Sequence, residues 1–230
     1  MPDVVITPLD GIPEIRPGDD LAGLVGYALE RAGGLAAGDV VVVAQKAVSK
    51  AEGRVEESND LLGLVRREAR GIRRIRGDLV IAETEHGFVC AAAGVDRSNA
   101  PGEGWAVLLP RDPDASARAL RDALAARVGV APAVVVSDSF GSAWRQGTTD
   151  VAIGVAGFDP LLRLRGTPDG RGRPLENTEI AVADELAGAA ELVFGKTRGI
   201  PAARIRGALL HAGDGAARDL VMPKNRDLFP

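Results

Sequence analysis

Three stretches of this chain each run an apolar strand into a crowd of side chains that could do chemistry. VVVVAQKAVSKAEGR carries Gln45, Lys46, Ser49, Lys50 and Glu52. AAAGVDRSN carries Asp96, Ser98 and Asn99. VVVSDSFGSAWRQGTTDVAIGVAG carries Asp138, Ser139, Arg145, Thr148, Thr149 and Asp150. Asp96 and Asp138 both follow small or apolar residues at strand ends, where an isolated carboxylate is costly to desolvate. If the fold brings the two together, their repulsion demands a cation, and Ser139 adds a hydroxyl. An all-oxygen set suits hard Mg²⁺ or Mn²⁺ rather than zinc. A divalent ion beside Lys50 would make a polyphosphate site.

Plainer readings compete with this one. Asp138–Ser139 and Asp96–Asn99 also suit turns, because Asp, Ser and Asn bond their own backbone. Lys46 and Lys50, four apart, fit a solvated face. Arg145 and Asp150 fit a structural ion pair. Cys90, in a run of small residues, reads as core. His86 and His211 have no second His or Cys at ligand spacing. RREARGIRRIRG reads as a solvated basic connector. There is no GxxxxGK[ST], and no strand precedes GRGRPLEN, so neither a P-loop nor a dinucleotide fingerprint is present.

The elements that must position these groups follow from periodicity. Val4–Thr7 reads as a strand. A helix capped by Asp19 or Asp20 is expected through about Ala32, with Leu21, Leu24, Val25 and Leu29 on one face. GDVVVVAQ is a strand buried on both faces, ending at a polar loop, KAVSKAEGR. Asn59–Arg70 is helical and GIRRIRGD a connector. LVIAETEHGFVCAAAG is two strands around a Glu-His-Gly turn, and WAVLLP another strand. DPDASARALRDALAARVG is a helix with an acidic start and a terminal glycine. APAVVVSD and DVAIGVAG are strands flanking a loop. Thr178–Phe194 is helical, with Ile180, Val182, Leu186, Ala190 and Val193 inward, and PAARIRG is a late strand. The alternation lacks a clean βαβ repeat, so the fold class is mixed α/β (α+β), in one domain over residues 1–230.

Composition narrows the function. The 230 residues can bury a sizeable core. Aromatics are 3% and the net charge is −4, so base-stacking surfaces and general attraction to nucleic acid are both wanting. No apolar run reaches a membrane span, and MPDVVITPLDG lacks the regions of a signal peptide. A single cysteine excludes an internal disulfide. A cytoplasmic location is expected.

Taken in order, GIPEIRPGDDL, VVVVAQKAVSKAEGR, AAAGVDRSNA, LLPRDPDASA, SDSFGSAWRQGTTDVAIGVAG, ENTEIAVADELAGAAELVFGK and IPAARIRG resemble the coenzyme F420-0:L-glutamate ligase (gamma-glutamyl ligase) family over nearly the whole chain. The resemblance implies GTP-driven joining of L-glutamate to the lactyl carboxylate of the deazaflavin F420-0. A further glutamate is then added through its gamma-carboxyl. It implies Mg²⁺ or Mn²⁺, with K⁺ a further candidate ion, a fold of two intertwined lobes, and a homodimer with the nucleotide in a groove.

By position, Ile12, Pro13, Glu14 and Ile15 match the family's first GTP-binding segment. Gln45 stands where a nucleotide-contacting residue, often Ser, is found, Lys50 matches a nucleotide-binding lysine, and Asn99 a GTP contact. Asp96 and Asp138 match metal ligands, and Ser139 stands where a hydroxyl also binds metal. Lys50, Asp138, Arg145 and Asp150 are the candidate catalytic residues. Asp150 and Glu52 are the candidates for the base that deprotonates the incoming amine. Lys196 departs from the pattern, replacing a metal-ligating Gln of some archaeal members. An ammonium cannot ligate a cation, so Lys196 is expected to take over a second ion's electrostatic role or to hold a phosphate. Some members carry a C-terminal flavin-binding domain, which is expected to be absent or separate here. The residues themselves do not distinguish GTP from ATP. Two rival readings stay open: a ligase acting on a different carboxylate or deazaflavin intermediate, and a non-catalytic GTP- or coenzyme-binding protein.

Overall fold

A computed structural model describes residues 3–228; the ends of the expected domain, residues 1–2 and 229–230, lie outside it. The elements run β1 (Val5–Pro8), α1 (Leu21–Arg31), β2 (Val40–Ala44), α2 (Gln45–Ala51), β3 (Val55–Glu57), α3 (Leu61–Glu68), β4 (Ala69–Arg76), β5 (Leu79–Thr84), β6 (Val89–Ala91), β7 (Trp105–Val107), α4 (Pro113–Val128), β8 (Ala133–Ser142), β9 (Arg145–Ala156), β10 (Leu161–Arg163), β11 (Glu179–Ala181), α5 (Val182–Phe194) and β12 (Ala202–Arg206). Among the described residues no helix is long and apolar enough to cross a membrane.

Five strands form the central sheet in the order β1-β12-β2-β8-β9. β2 and β8 are parallel, and the other pairs are antiparallel. The unbroken valine run of β2 has a simple cause: both faces of the sheet are covered, so alternate side chains enter different cores. Val41, Val43, Val134 and Val136 pack with Val25 and Leu29 of α1 and Leu120 and Leu124 of α4. Val40, Val42 and Val135 pack with Leu186, Ala190 and Phe194 of α5 on the other face. Helices on both faces of a mixed sheet make this the expected mixed α/β fold. A third, smaller core joins Leu64 and Val65 of α3 to Val80 and Ala82 of β5, Val95 and Leu108.

Helices α1 and α4 have the ends their sequences foretell. Asp20 accepts from the Gly23 N–H at 2.9 Å, capping α1. Asp112 accepts from the Ala115 N–H at 2.9 Å, Pro113 opens α4, and Gly129 closes it in the left-handed region at φ 72°.

Four local expectations change. KAVSKAEGR opens as helix α2 rather than a loop, since Gln, Lys and Ala are good helix formers. The arginine tract taken as a connector is β4, an edge strand of the sheet β4-β5-β6. Its exposed arginines suit an edge, where charge discourages further pairing. The loop expected between β8 and β9 is mostly ladder, which continues to Ser142 opposite Arg145. Finally, Glu179–Ala181 pairs with β10, so the last long helix begins at Val182 rather than at Thr178.

Candidate active site

Sheet topology delivers five segments to one end of the central sheet. Ala44 pairs with Ser137 across the parallel β2–β8 ladder, so β2 ends toward Gln45 beside Asp138, where β8 runs on paired only with β9. β12 runs antiparallel to β2 with Ala202 opposite Val43, so residues 195–201 enter at the same end. Pro8 lies opposite Ala203, so β1 exits there toward Ile12–Ile15. β9 brings Asp150 directly opposite Ser139.

These segments enclose a cavity of about 380 Å³. Ile12, Pro13, Glu14 and Ile15 form part of its wall, with Gln45, Lys46 and Lys50 from α2 and Asn99 from the loop before β7. Asp138, Ser139 and Asp150 come from the sheet, and Lys196 from the loop after α5. A second cavity of about 530 Å³ shares Glu14, Ile15, Lys50 and Asn99 with the first. The two meet at the ion pair between buried Lys50 and exposed Glu14.

Three expected residues, Asp96, Arg145 and Glu52, do not line the cavity. Asp96 is not on the cavity wall; it is bound to Lys46, which is. Arg145 is exposed on the outer part of the β8–β9 hairpin and does not reach the cavity, because the ladder carries it away from the sheet end; among the described residues no ion pair joins it to Asp150. Gln45 lines the cavity, but its amide is committed inward: Nε2 donates to Ser49 Oγ at 2.6 Å and to the Leu108 carbonyl at 3.0 Å. Glu52 bonds the Ser116 hydroxyl, away from the cavity.

The polar groups form two connected sets. Lys196 Nζ donates to Ser139 Oγ at 2.5 Å, and Ser139 donates to Asp150 Oδ1 at 2.6 Å. Ser137 donates to Asp150 Oδ2 at 2.8 Å, so both oxygens of that buried carboxylate are held. In the second set, Lys46 Nζ lies 2.6 Å from Asp96 Oδ2 and 2.5 Å from Ser98 Oγ. The Ser98 hydroxyl donates to Oδ2 at 2.9 Å, and its N–H to Oδ1 at 2.7 Å.

Charge separates the carboxylates. Burial opposes the Asp96 charge, but Lys46 and Ser98 overcome it and hold the group below the usual carboxylate range. Burial pushes Asp138 up to about 7; repulsion from Asp150 and Asp96 adds to this, against the Ser139 N–H and Lys46. Glu191 is raised by burial and by Asp150. Cys90 is pushed up to about 12 by burial and by Asp138, so its thiol stays protonated. His86 is structural: Nε2 lies 3.0 Å from the Arg111 carbonyl and its ring stacks on Phe88.

A hard divalent ion fits this donor chemistry. The Asp138 carboxyl is partly buried and repelled by two neighbouring carboxylates, so added positive charge would relieve it. Among the described residues no three Asp, Glu, His or Cys side chains form a ready cage. An ion here would fill its shell with water and phosphate oxygens, as Mg²⁺ commonly does.

Sequence reading named Lys46 among the polar groups after the valine strand without placing it in the site, and it missed Ser137 and Glu191 as cavity residues. Two signals were present. Lys46 and Lys50 are one turn apart on α2, so they share a face. Ser137 and Ser139 alternate along β8, so they point the same way. Glu191, an acid on a helix, looked like any solvent-facing residue.

Residues 11–207 match the family model described as F420-0:Gamma-glutamyl ligase. A Methanothermobacter thermautotrophicus protein named Coenzyme F420:L-glutamate ligase is 40% identical, over 96% of each chain. A protein of that name from Methanopyrus kandleri is 39% identical, over 100% of this chain and 98% of its own. Another from Methanocaldococcus jannaschii is 38% identical over 84% of each.

Proposed function

The chain belongs to the F420-0:gamma-glutamyl ligase family, and on that premise we propose that it joins L-glutamate to the lactyl carboxylate of coenzyme F420-0 at the expense of GTP, then adds further glutamate through the gamma-carboxyl. The observation that carries this reading is the convergence of Lys50, Asn99, Asp138, Ser139 and Lys196 on one cavity, where ammonium groups and carboxylates stand side by side.

A carboxylate does not condense with an amine in water, because hydroxide is a poor leaving group. In the proposed route the F420-0 carboxylate oxygen attacks the γ-phosphorus of GTP. The bond to the GDP oxygen breaks, leaving an acyl phosphate and GDP. The glutamate amine, in its neutral form, then attacks the acyl carbon, the amide bond forms, and phosphate departs with the carbon–oxygen bond's electron pair and takes up the proton the amine loses. Mg²⁺ or Mn²⁺ held by Asp96, Asp138 and Ser139 would supply charge neutralisation on the phosphates. The chain's own part is positioning and charge stabilisation. Lys50, at the junction of the two cavities, exchanges Glu14 for a phosphate oxygen. Lys196 faces the same phosphates from the loop after α5. Asp150, fixed by two serines, keeps Ser139 oriented. A cytoplasmic homodimer belongs to the same proposal; the exposed Ile75, Leu79 and Val89 of the small sheet offer apolar surface for such contact.

The test is a mass spectrum. The protein is incubated with F420-0, L-glutamate, GTP and Mn²⁺. One or more added glutamyl masses with matching GDP are expected. Tight GTP binding with no glutamyl product would defeat the reading.

A further inference from the structure

We infer that Lys46 and Lys196 are resident counter-ions of the metal site, and that each must leave its oxygen ligand for a divalent ion to enter, moving to the phosphates of the nucleotide that arrives with it. The inference rests on the metal reading above.

Two of the three oxygen groups assigned to the ion already carry an ammonium. Lys46 Nζ sits 2.6 Å from Asp96 Oδ2 and 2.5 Å from Ser98 Oγ. Lys196 Nζ sits 2.5 Å from Ser139 Oγ. The Lys46 side chain is 17% exposed, so its ammonium has exchanged much of its water for these oxygens. It also acts on the third group, offsetting part of the repulsion at Asp138. Near these groups lie the carboxylates of Asp96, Asp138, Asp150 and Glu191, so without a divalent ion the two lysines are the charges that make such a cluster tolerable.

A divalent ion cannot simply be added to this arrangement. It would share ligands with both ammonium groups at contact distance, where like charges repel strongly. A lysine is a point charge on a flexible four-carbon stem, so it can leave an oxygen without moving the backbone. Both lysines already line the cavity, and polyphosphate oxygens give them a destination there. Metal and nucleotide should therefore bind with positive coupling, and linkage makes that coupling reciprocal.

The experiment measures Mn²⁺ binding by electron paramagnetic resonance of the free ion, with and without a non-hydrolysable GTP analogue, in wild-type protein, Lys46→Met and Lys46→Gln. Circular dichroism checks the fold of each. Without nucleotide, both variants are expected to bind Mn²⁺ about tenfold more tightly than wild type. The gain in Mn²⁺ affinity on adding nucleotide, about 10- to 100-fold in wild type, is expected to shrink in both. Mn²⁺ affinity that rises equally with and without nucleotide would reveal only a change in net charge and overturn the exchange. So would unchanged affinity in folded variants of a wild type that binds Mn²⁺. If no protein binds Mn²⁺ under either condition, the metal reading itself falls, and the exchange with it. Glutamyl ligation by wild type, measured separately, tells a failure of the proposed activity from a failure of the exchange.

Discussion

Ser139 and Asp150 face each other across the β8–β9 ladder, with the serine hydroxyl donating to Oδ1 at 2.6 Å while Ser137 donates to Oδ2 at 2.8 Å. A buried carboxylate fixed at both oxygens has little freedom, so it acts as a rigid mount for the Ser139 hydroxyl. Ser139→Ala is expected to lower kcat about 10²-fold, the loss typical of one preorganised polar group, with a circular dichroism spectrum like wild type. Wild-type kcat in that variant would remove Ser139 from the site.

Asp138→Asn should separate activity from stability. Its carboxyl is pushed up to about 7 mainly by burial, so the charged form is costly to the fold. Asparagine keeps the shape and removes the charge. Turnover is expected to fall about 10²-fold or more, while the thermal midpoint at neutral pH holds or rises. A large fall in the midpoint would make Asp138 structural instead.

Lys50→Met is expected to weaken GTP binding about 10- to 100-fold, the worth of one charge-assisted hydrogen bond. Calorimetric titration with a non-hydrolysable analogue reads this directly. Unchanged affinity would leave Lys50 as the partner of Glu14 alone.

Acid should weaken the fold through Asp39. Its carboxylate accepts from Arg206 at 2.6 and 2.8 Å and from the Ala36 N–H at 2.8 Å. Burial works against its charge, yet these donors hold the group below its ordinary 3.8. A folded value below the unfolded one means stability that is present above pH 3.8 and fades as pH falls through the lower folded value. Urea midpoints are expected to drop across that range in wild type, and less steeply in Asp39→Asn.

The register of β9 against α4 depends on Gly154. A Cβ there would meet the Pro113 carbonyl oxygen at 2.2 Å, a contact that backbone cannot easily relieve. Gly154→Ala is expected to cost about 1–3 kcal/mol, read as a lower denaturant midpoint with an unchanged slope.

Much of the site was legible because chemistry and strand ends coincide in the sequence. The valine runs marked β2 and β8, and the residues after them, Gln45 to Lys50 and Asp138 to Ser139, were the ones to suspect. Their meeting in space was not legible, since it depends on the parallel pairing of Ala44 with Ser137, a contact nearly a hundred residues apart in the chain. Lys46 was weighed as part of a solvated face because charges four apart usually face water; on α2 the same spacing points both lysines into the cavity. Arg145 looked equivalent to Asp150 in the motif, but the ladder continues outward and leaves it exposed. The arginines of β4 hid a strand because its partner β5 supplies the buried side chains.

The most direct test of carboxylate activation follows one oxygen atom. F420-0 labelled with oxygen-18 in its lactyl carboxylate is incubated with the protein, GTP, L-glutamate and Mn²⁺, and the released phosphate is weighed by mass spectrometry. One phosphate carrying a labelled oxygen for the first glutamyl group on each F420-0 is the expected result, since the lactyl carboxylate oxygen leaves with the phosphorus; phosphate from later additions, which activate an unlabelled gamma-carboxyl, carries none. Monoglutamyl product accompanied only by unlabelled phosphate would contradict the acyl-phosphate route.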